Sequence, residues 1–539
     1  MNFFASLCIV LFTGFVMFTC GSNEKVASKD ELLVYLDSLE HEYEDACYLM
    51  GVANWNSYSK EGSSHLDEAK AAFGKIFLDS QKHSVIEAWR GKAGSLADDL
   101  LTRRLEMWHR CFIGGVIYAD PDIAKLENSL QKRITDFRFM YDGKTITRAQ
   151  ISSRLREEKN QRYRHNLWQT NGQLSERAVQ DLVLLVKKRN ERAVMEGFPN
   201  YYSLSLHLNA IDERWLLETL EALEQQTRPM LQEFIDASKK QLKVKEFHPW
   251  DFDIALREAV SLPDKYFPSD SVFGIIHNFE RGIGFSVDSL PIKEYVKDIP
   301  YGGLSLAIRV PTDSRFLVNP TRGKGFYETA LHEYGHSLQA VYTDVQYPIL
   351  KGYEWIPGAL PAAYAEGIAD FHKEFTDHPQ WLSRYTNAKP QEINAYIGGK
   401  GMPSLYRMRR FLKDFYIEYE MYKNPDQDLT QLEKALYKKY LLVEMEDDDP
   451  HLFASNIWYT SYPCYFQNYI LAGMIATQLQ EALTNRFGDE KLSNPEVARW
   501  IIDHLYATGE TTEWMNRIRS ASGKSLETGA FLRKMGVRE

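Results

Sequence analysis

Cysteine is scarce, with five residues in 539. Cys8, Cys20, Cys47, Cys111 and Cys464 are too few and too scattered for a disulfide framework or a cysteine-based metal site, although a Cys47 to Cys111 bridge stays open. Positive charge is also short: 64 Lys and Arg against 74 Asp and Glu leave a net charge of -10 and a pI of about 5.9. There is no basic footprint, which argues against nucleic acid as a partner. Strand-like stretches are few, and no internal repeat, low-complexity tract or Pro/Gly-rich linker divides the chain. At 44% hydrophobic residues the chain can still bury a large core.

The N-terminal apolar run from Phe3 to Phe18 is too short for a comfortable membrane span. It switches to small and polar residues at Thr19-Cys20-Gly21-Ser22-Asn23, which reads as a bacterial lipoprotein signal over residues 1–19, with Cys20 the acylated first residue of the mature chain. Two details depart from that pattern: no Lys or Arg precedes the run, and Met17 and Phe18 stand before the cysteine. In either form, lipoprotein or plain secretion, the expected location is outside the cytoplasm, with a membrane anchor on Cys20 in the first case.

Helical periodicity dominates the rest. Asp30 is read as the cap of a helix carrying Leu32, Leu36, Leu39, Tyr43 and Cys47, and similar patterns run over 64–80, 95–111, 175–195, 214–240, 404–423 and 465–485. The clearest strand signal is a hairpin, Leu304 to Val310 and Arg315 to Asn319, around Pro311-Thr312-Asp313-Ser314. An edge strand there could pair with an extended peptide.

One motif decides the chemistry. His332-Glu333-Tyr334-Gly335-His336 has the H-E-x-x-H form, in which two imidazoles at i and i+4 share a helical face and reach one zinc ion, while the glutamate serves as general base. Composition alone would produce this string in roughly two chains of this kind in a hundred. The flanks contain no proline and space Phe326, Ala330, Leu331, Leu338 and Val341 as a helix does. A third ligand is needed, and Ala363-Tyr364-Ala365-Glu366-Gly367-Ile368-Ala369-Asp370-Phe371 offers Glu366, with Asp370 four residues on to accept the spare N–H of a ligand histidine. Glu354 and Glu374 are weaker rivals. Glu354 sits in a turn-like string and Glu374 where a helix should end, so neither is expected to affect zinc.

At this point the chain resembles a family. Ala53-Asn54-Trp55-Asn56-Ser57-Tyr58, Arg189-Asn190-Glu191, Gly197 to Leu204, the HEYGH helix and Tyr462-Pro463-Cys464-Tyr465-Phe466 look like the angiotensin-converting-enzyme family of peptidyl-dipeptidases, with thimet oligopeptidase and oligoendopeptidase F less closely similar. The resemblance implies a mainly α-helical ellipsoid of gluzincin type, residues 20–539, in which two subdomains line a deep channel that admits short peptides to zinc. It also implies that Tyr465 hydrogen-bonds the oxyanion, that Tyr462 meets the substrate carboxylate and that His451 assists the transition state. An aromatic core stripe through Tyr459, Tyr462, Tyr465, Phe466 and Tyr469 is the plainer alternative.

Departures from that family bear on specificity. The interval from His336 to Glu366 is about six residues long of the pattern, implying an inserted loop near Pro348 to Gly358, and the string before His451 is acidic where the family carries a lysine. Gly303, a substrate-binding position, and its neighbour Gly302 stand where the dipeptide-releasing members have Ala and His, and Cys464 where a chloride-binding Arg is expected. Weak recognition of a substrate C-terminus is therefore expected, and zinc-dependent hydrolysis of oligopeptides is the reading, with strict dipeptide release or a non-catalytic peptide-binding lipoprotein as alternatives.

Overall fold

The computed structural model describes residues 26–257, 261–299 and 301–537, so the signal segment and Cys20 lie outside it. Helices make up most of the chain, as the periodicity requires. Lys29–Ser59, Leu66–Phe77, Asp99–Tyr118, Gly172–Met195, Glu213–Leu242, Gly401–Lys423 and Phe466–Phe487 fall where the patterns place them. The first of these buries Leu32, Leu36, Leu39, Tyr43, Ala46, Cys47 and Met50. Its cap is Ser28 rather than Asp30: the Ser28 hydroxyl accepts from Glu31 N–H, and the Glu31 carboxylate accepts from Ser28 N–H. Cys47 and Cys111 are buried free thiols. Among the described residues no helix is long and apolar enough to cross a membrane.

Strands are few. Phe139–Tyr141 (β1) and Lys144–Ile146 (β2) form a two-stranded hairpin, and Ile292–Val296 (β3), Gly303–Arg309 (β4) and Asp313–Val318 (β5) form a sheet in the order β3-β5-β4. The β4–β5 hairpin agrees with the sequence, with Gly303 opposite Val318 and Leu306 opposite Arg315. β3 is an addition, parallel to β5. The sheet is covered on both faces. On one side the first helix brings Trp55 to Leu306, Ile308 and Leu317, and on the other Ser337 of the helix Lys324–Tyr342 shares hydrogen bonds of 3.1 Å with Ser305 and Ser314. Those two bonds pin the HEYGH helix to the sheet and fix its rotation.

Two glycines then stack the neighbouring helices closely. A Cβ on Gly335 would stand 3.1 Å from the Ala369 Cα, so the helix Ala362–Glu374 packs directly against HEYGH. A Cβ on Gly367 would stand 2.8 Å from Ile475, which brings in the helix Phe466–Phe487. Side chains at either position would wedge apart the helices that carry His332, Glu366 and Tyr465.

Candidate metal and catalytic centre

The HEYGH helix presents His332 and His336 one turn apart, their rings 4.9 Å between centroids. Glu366 comes from the adjoining helix, its Oε2 3.6 Å from His332 Nε2, and donor atoms of His332, His336 and Glu366 all lie within 4.8 Å of one another. The other nitrogen of each ring is occupied. His332 Nδ1 is 3.0 Å from Asp370 Oδ1, and His336 Nδ1 is 3.0 Å from Glu354 Oε1. Both carboxylates accept an Nδ1–H, which leaves the Nε2 lone pairs free to converge on one point.

The electrostatics match a cation. Glu333, Glu354, Glu366 and Asp370 surround the two imidazoles. Burial disfavours charge on His336, but Glu354, Glu366 and Glu333 outweigh it and push the imidazole up to about 10. Burial likewise opposes ionisation of Asp370, yet Lys373 and His332 hold that carboxyl well below its usual range. An excess of buried and half-buried carboxylate over fixed cation, together with two imidazoles each held by a carboxylate at Nδ1, fits a divalent metal held by His332, His336 and Glu366.

Sequence reasoning paired Glu366 with Asp370 on one helix face, and these two are found together. It did not find the role of Glu354. The loop from Pro348 to Gly358 crosses back over the HEYGH helix and delivers the Glu354 carboxylate to His336. The expectation that Glu354 leaves the metal unaffected is therefore reversed. Glu354→Ala should weaken metal affinity by about 10- to 100-fold, the usual effect of losing a ligand histidine's carboxylate partner. Competition against a chromogenic chelator measures it. Glu374, by contrast, is paired with Lys534.

Glu333 is buried, and burial raises its pKa despite the opposing pull of His332 and His336. A raised carboxyl is a better proton acceptor near neutrality. Its carboxylate lies against Gly303 at the start of β4, where a Cβ would come within 2.7 Å of Glu333 Oε1. The absence of a side chain at Gly303 is thus what gives the base its space.

The aromatic stripe divides by position. Tyr459 is a core residue, its hydroxyl donating to the Asp414 carbonyl. Tyr465 donates its O–H to Glu366 Oε1 at 2.8 Å, so in this state it holds the candidate ligand rather than standing free for an oxyanion. Tyr469, one turn on, feels Glu366, Asp370 and Glu333 after the larger effect of its own burial, which together push its phenol upward. Tyr462 is 39% exposed and adjoins Tyr465, their rings 6.4 Å apart. It belongs to a phenol group with Tyr58 and Tyr301, of which Tyr301 donates to the Tyr58 carbonyl at 3.2 Å. Burial, then Tyr462 and Glu333, push Tyr301 up to about 12, which places this group beside the base.

His451 makes its described contacts with other residues. Its Nδ1 is 3.7 Å from Glu433 and its ring packs near Phe453, and among the described contacts none joins it to HEYGH. The acidic string before it is also engaged: Asp449 binds His165 at 2.6 Å and the Glu446 N–H at 2.6 Å, and Asp447 lies 3.4 Å from Lys434. Repulsion of a substrate carboxylate by this string has no support in that arrangement. Cys464 is a buried thiol whose N–H donates to Glu418 at 2.8 Å.

Comparison with known proteins agrees with a metallopeptidase without singling out the family that the sequence resembles. Residues 416–538 match the family described as Carboxypeptidase Taq (M32) metallopeptidase, and residues 154–297 match Peptidase family M3. Neither segment includes the HEYGH helix, and no curated protein matches. Among solved structures, metallocarboxypeptidase 1 of Trypanosoma cruzi superimposes with a TM-score of 0.61 at 15% identity, covering 94% of this chain and 99% of that one. The M32 carboxypeptidase of Deinococcus radiodurans R1 gives 0.59 at 12%, covering 93% and 99%, and a Pyrococcus furiosus carboxypeptidase titled Apo-Mg gives 0.61 at 13%, covering 95% and 99%. At such identities the likeness speaks for the fold. The M3 match suits the looser similarity to thimet oligopeptidase, but nothing singles out the angiotensin-converting-enzyme family. Two segments of the chain are thus similar to metallopeptidase families, and its fold is shared over nearly its whole length with solved carboxypeptidases.

Proposed function

We propose that this chain is a zinc peptidase that shortens small unfolded peptides from the C-terminal end. The observation that carries the reading is the convergence of His332, His336 and Glu366 donor atoms within 4.8 Å, beside the buried Glu333. Two imidazoles and one carboxylate are a zinc hydrolase's ligand set. Bound there, the ion supplies Lewis acidity toward the scissile carbonyl and toward water.

The remaining steps fall to side chains. Glu333 takes the proton of the attacking water and returns it to the leaving amine, a task suited to its raised pKa. Asp370 and Glu354 hold the imidazoles in one tautomer and orientation, so the site does not reorganise during reaction. Tyr465 exchanges Glu366 for the developing oxyanion, since its O–H is already within one hydrogen bond of the ligand set. Tyr462, the exposed member of the group with Tyr58 and Tyr301, donates its O–H to the substrate carboxylate. The M32 match favours this C-terminal mode over internal cleavage.

Mass spectrometry of products from peptides of graded length tests the mode. Free-acid peptides should be shortened from the C-terminus, and amidation should lower kcat/KM by about tenfold or more, the equivalent of roughly 1.4 kcal/mol of lost carboxylate contact. Equal rates on amidated peptides would replace this reading with oligopeptidase action. Dipeptides as sole products would restore the peptidyl-dipeptidase alternative.

We further propose that the protein works outside the cytoplasm of a bacterium, tethered through lipid on Cys20, with peptides rather than nucleic acid as partners. The apolar run ending at Cys20 and the net charge of -10 support this. Metabolic labelling with palmitate should mark the protein, and Cys20→Ser should abolish the label; undiminished labelling of that variant would refute the anchor.

A further inference from the structure

Away from the catalytic centre, a second set of metal-competent side chains has no part in the reaction. His83 and Glu87 are four residues apart on the helix Ser80–Arg90 and so share a face. His109, on the helix Asp99–Tyr118, meets them from the side. Donor atoms of all three lie within 4.8 Å of one another, the same closeness that His332, His336 and Glu366 show.

The distances describe a hydrogen-bonded pair, whose shared proton an ion would displace, with an unpartnered imidazole nitrogen beside it. Glu87 Oε1 is 2.5 Å from His109 Nδ1, a contact that one shared proton explains. His83 Nε2, however, stands 3.7 Å from the same oxygen, too far for a hydrogen bond, and among the described residues this buried nitrogen has no hydrogen-bond partner. Donors around a tetrahedral ion with bonds of about 2.0 to 2.1 Å lie about 3.3 Å apart. The 3.7 Å here is close to the 3.6 Å between His332 and Glu366. Stacking on Phe112, ring centroids 5.0 Å apart and 9° between planes, holds the His83 ring in that orientation. A fourth donor is near: the His207 ring lies 5.6 Å from that of His109, and its Nε2 is likewise buried without a partner among the described residues.

The surroundings choose the class of ion. Arg90 binds Glu87 Oε2 at 3.0 Å and offsets its charge, leaving Oε1, which now shares a proton with His109 Nδ1, as the carboxylate donor an ion would take. A second arginine, Arg110, is paired with Glu106 at 3.3 Å. With no net negative field, a hard cation such as Ca²⁺ or Mg²⁺ has little to hold it, whereas an imidazole-seeking ion does. Glu87 is 35% exposed, so an ion has a route in from solvent.

We infer that His83, Glu87 and His109 form a second, non-catalytic transition-metal site, zinc being the ion of choice, which clips the helix Ser80–Arg90 to the helix Asp99–Tyr118. The inference does not rest on the peptidase reading, since none of these residues touches the catalytic centre among the described contacts. The ion would stabilise the N-terminal part of the chain rather than act on substrate.

Equilibrium dialysis of the full mature chain against Zn²⁺ tests it. The native chain should hold about two equivalents, and the double variant His332→Ala/His336→Ala about one, which His83→Gln or His109→Gln added to it should abolish. Should the double variant fail to fold, His83→Gln alone should take the native chain from about two equivalents to about one, with peptide hydrolysis unchanged. Anomalous diffraction at the zinc edge should show a peak between His83 Nε2 and Glu87 Oε1. A single equivalent in the native chain, or a second one indifferent to His83→Gln and His109→Gln, would overturn the site while leaving the catalytic assignment untouched.

Discussion

Glu333→Gln is expected to keep the metal and to lower kcat by about 10²- to 10⁴-fold, the range that loss of a positioned general base produces. The amide has the same shape and still fits against Gly303, where the space for it is set by the missing Cβ. It cannot accept a proton. His332, His336 and Glu366 keep their geometry, because Asp370, Glu354 and Tyr465 hold them independently of residue 333. Metal content and hydrolysis of an internally quenched peptide, measured on the same preparation, check both halves. Turnover within tenfold of the parent in the metal-loaded variant would remove Glu333 from the role, and loss of metal would show that it supports the ligands instead.

Most of the helical body was legible in the sequence, because long amphipathic segments announce themselves. Leu32, Leu36, Leu39 and Tyr43 mark the first helix, and Leu216, Leu220, Leu223 and Leu231 mark Glu213–Leu242 by the same spacing. Ends were less clear. Asp30 and Ser28 are both good caps, and only the reciprocal bond from Glu31 decides for Ser28. β3 went unseen for a different reason: Ile292-Lys293-Glu294-Tyr295-Val296 is short, and its partner β5 begins some twenty residues away with parallel polarity, which no local pattern encodes.

The catalytic centre divides along the same line. His332, Glu333 and His336 are fixed by helical spacing, and Asp370 follows from Glu366 by the same i, i+4 rule. Glu354 is not helical with respect to anything. It reaches His336 because the loop after Pro348 folds back, with Gly358 at φ 83 turning over the Arg110 carbonyl, where a Cβ would come within 2.8 Å. Long-range closure of this kind leaves no periodic trace. His451 is the converse case: its role came from resemblance alone, and the contacts described for it and for Asp449 beside it are to Glu433 and His165.

Glu366→Ala should cost more metal affinity than Glu354→Ala, and the order of the two separates ligand from support. Structural zinc sites are worth roughly 10–16 kcal/mol over four ligands, so removing one costs on the order of 3 kcal/mol, about a hundredfold or more in Kd. Glu354→Ala removes only the partner of His336 Nδ1, and the ring remains to coordinate. Two secondary consequences distinguish Glu366 further. Its loss leaves the Tyr465 hydroxyl without the acceptor it now has at 2.8 Å, and it removes one of the carboxylates that raise the His336 pKa. Glu366→Gln restores an acceptor for Tyr465 and a weak oxygen ligand, so it should fall between the parent and Glu366→Ala. Glu374→Ala, at the far end of the helix that carries Glu366, only frees Lys534 of the helix Gly529–Met535 and should match the parent. Chelator competition on the four variants gives the ranking directly. If Glu354→Ala strips the metal as completely as Glu366→Ala does, the loop carboxylate is the third ligand and Glu366 its support.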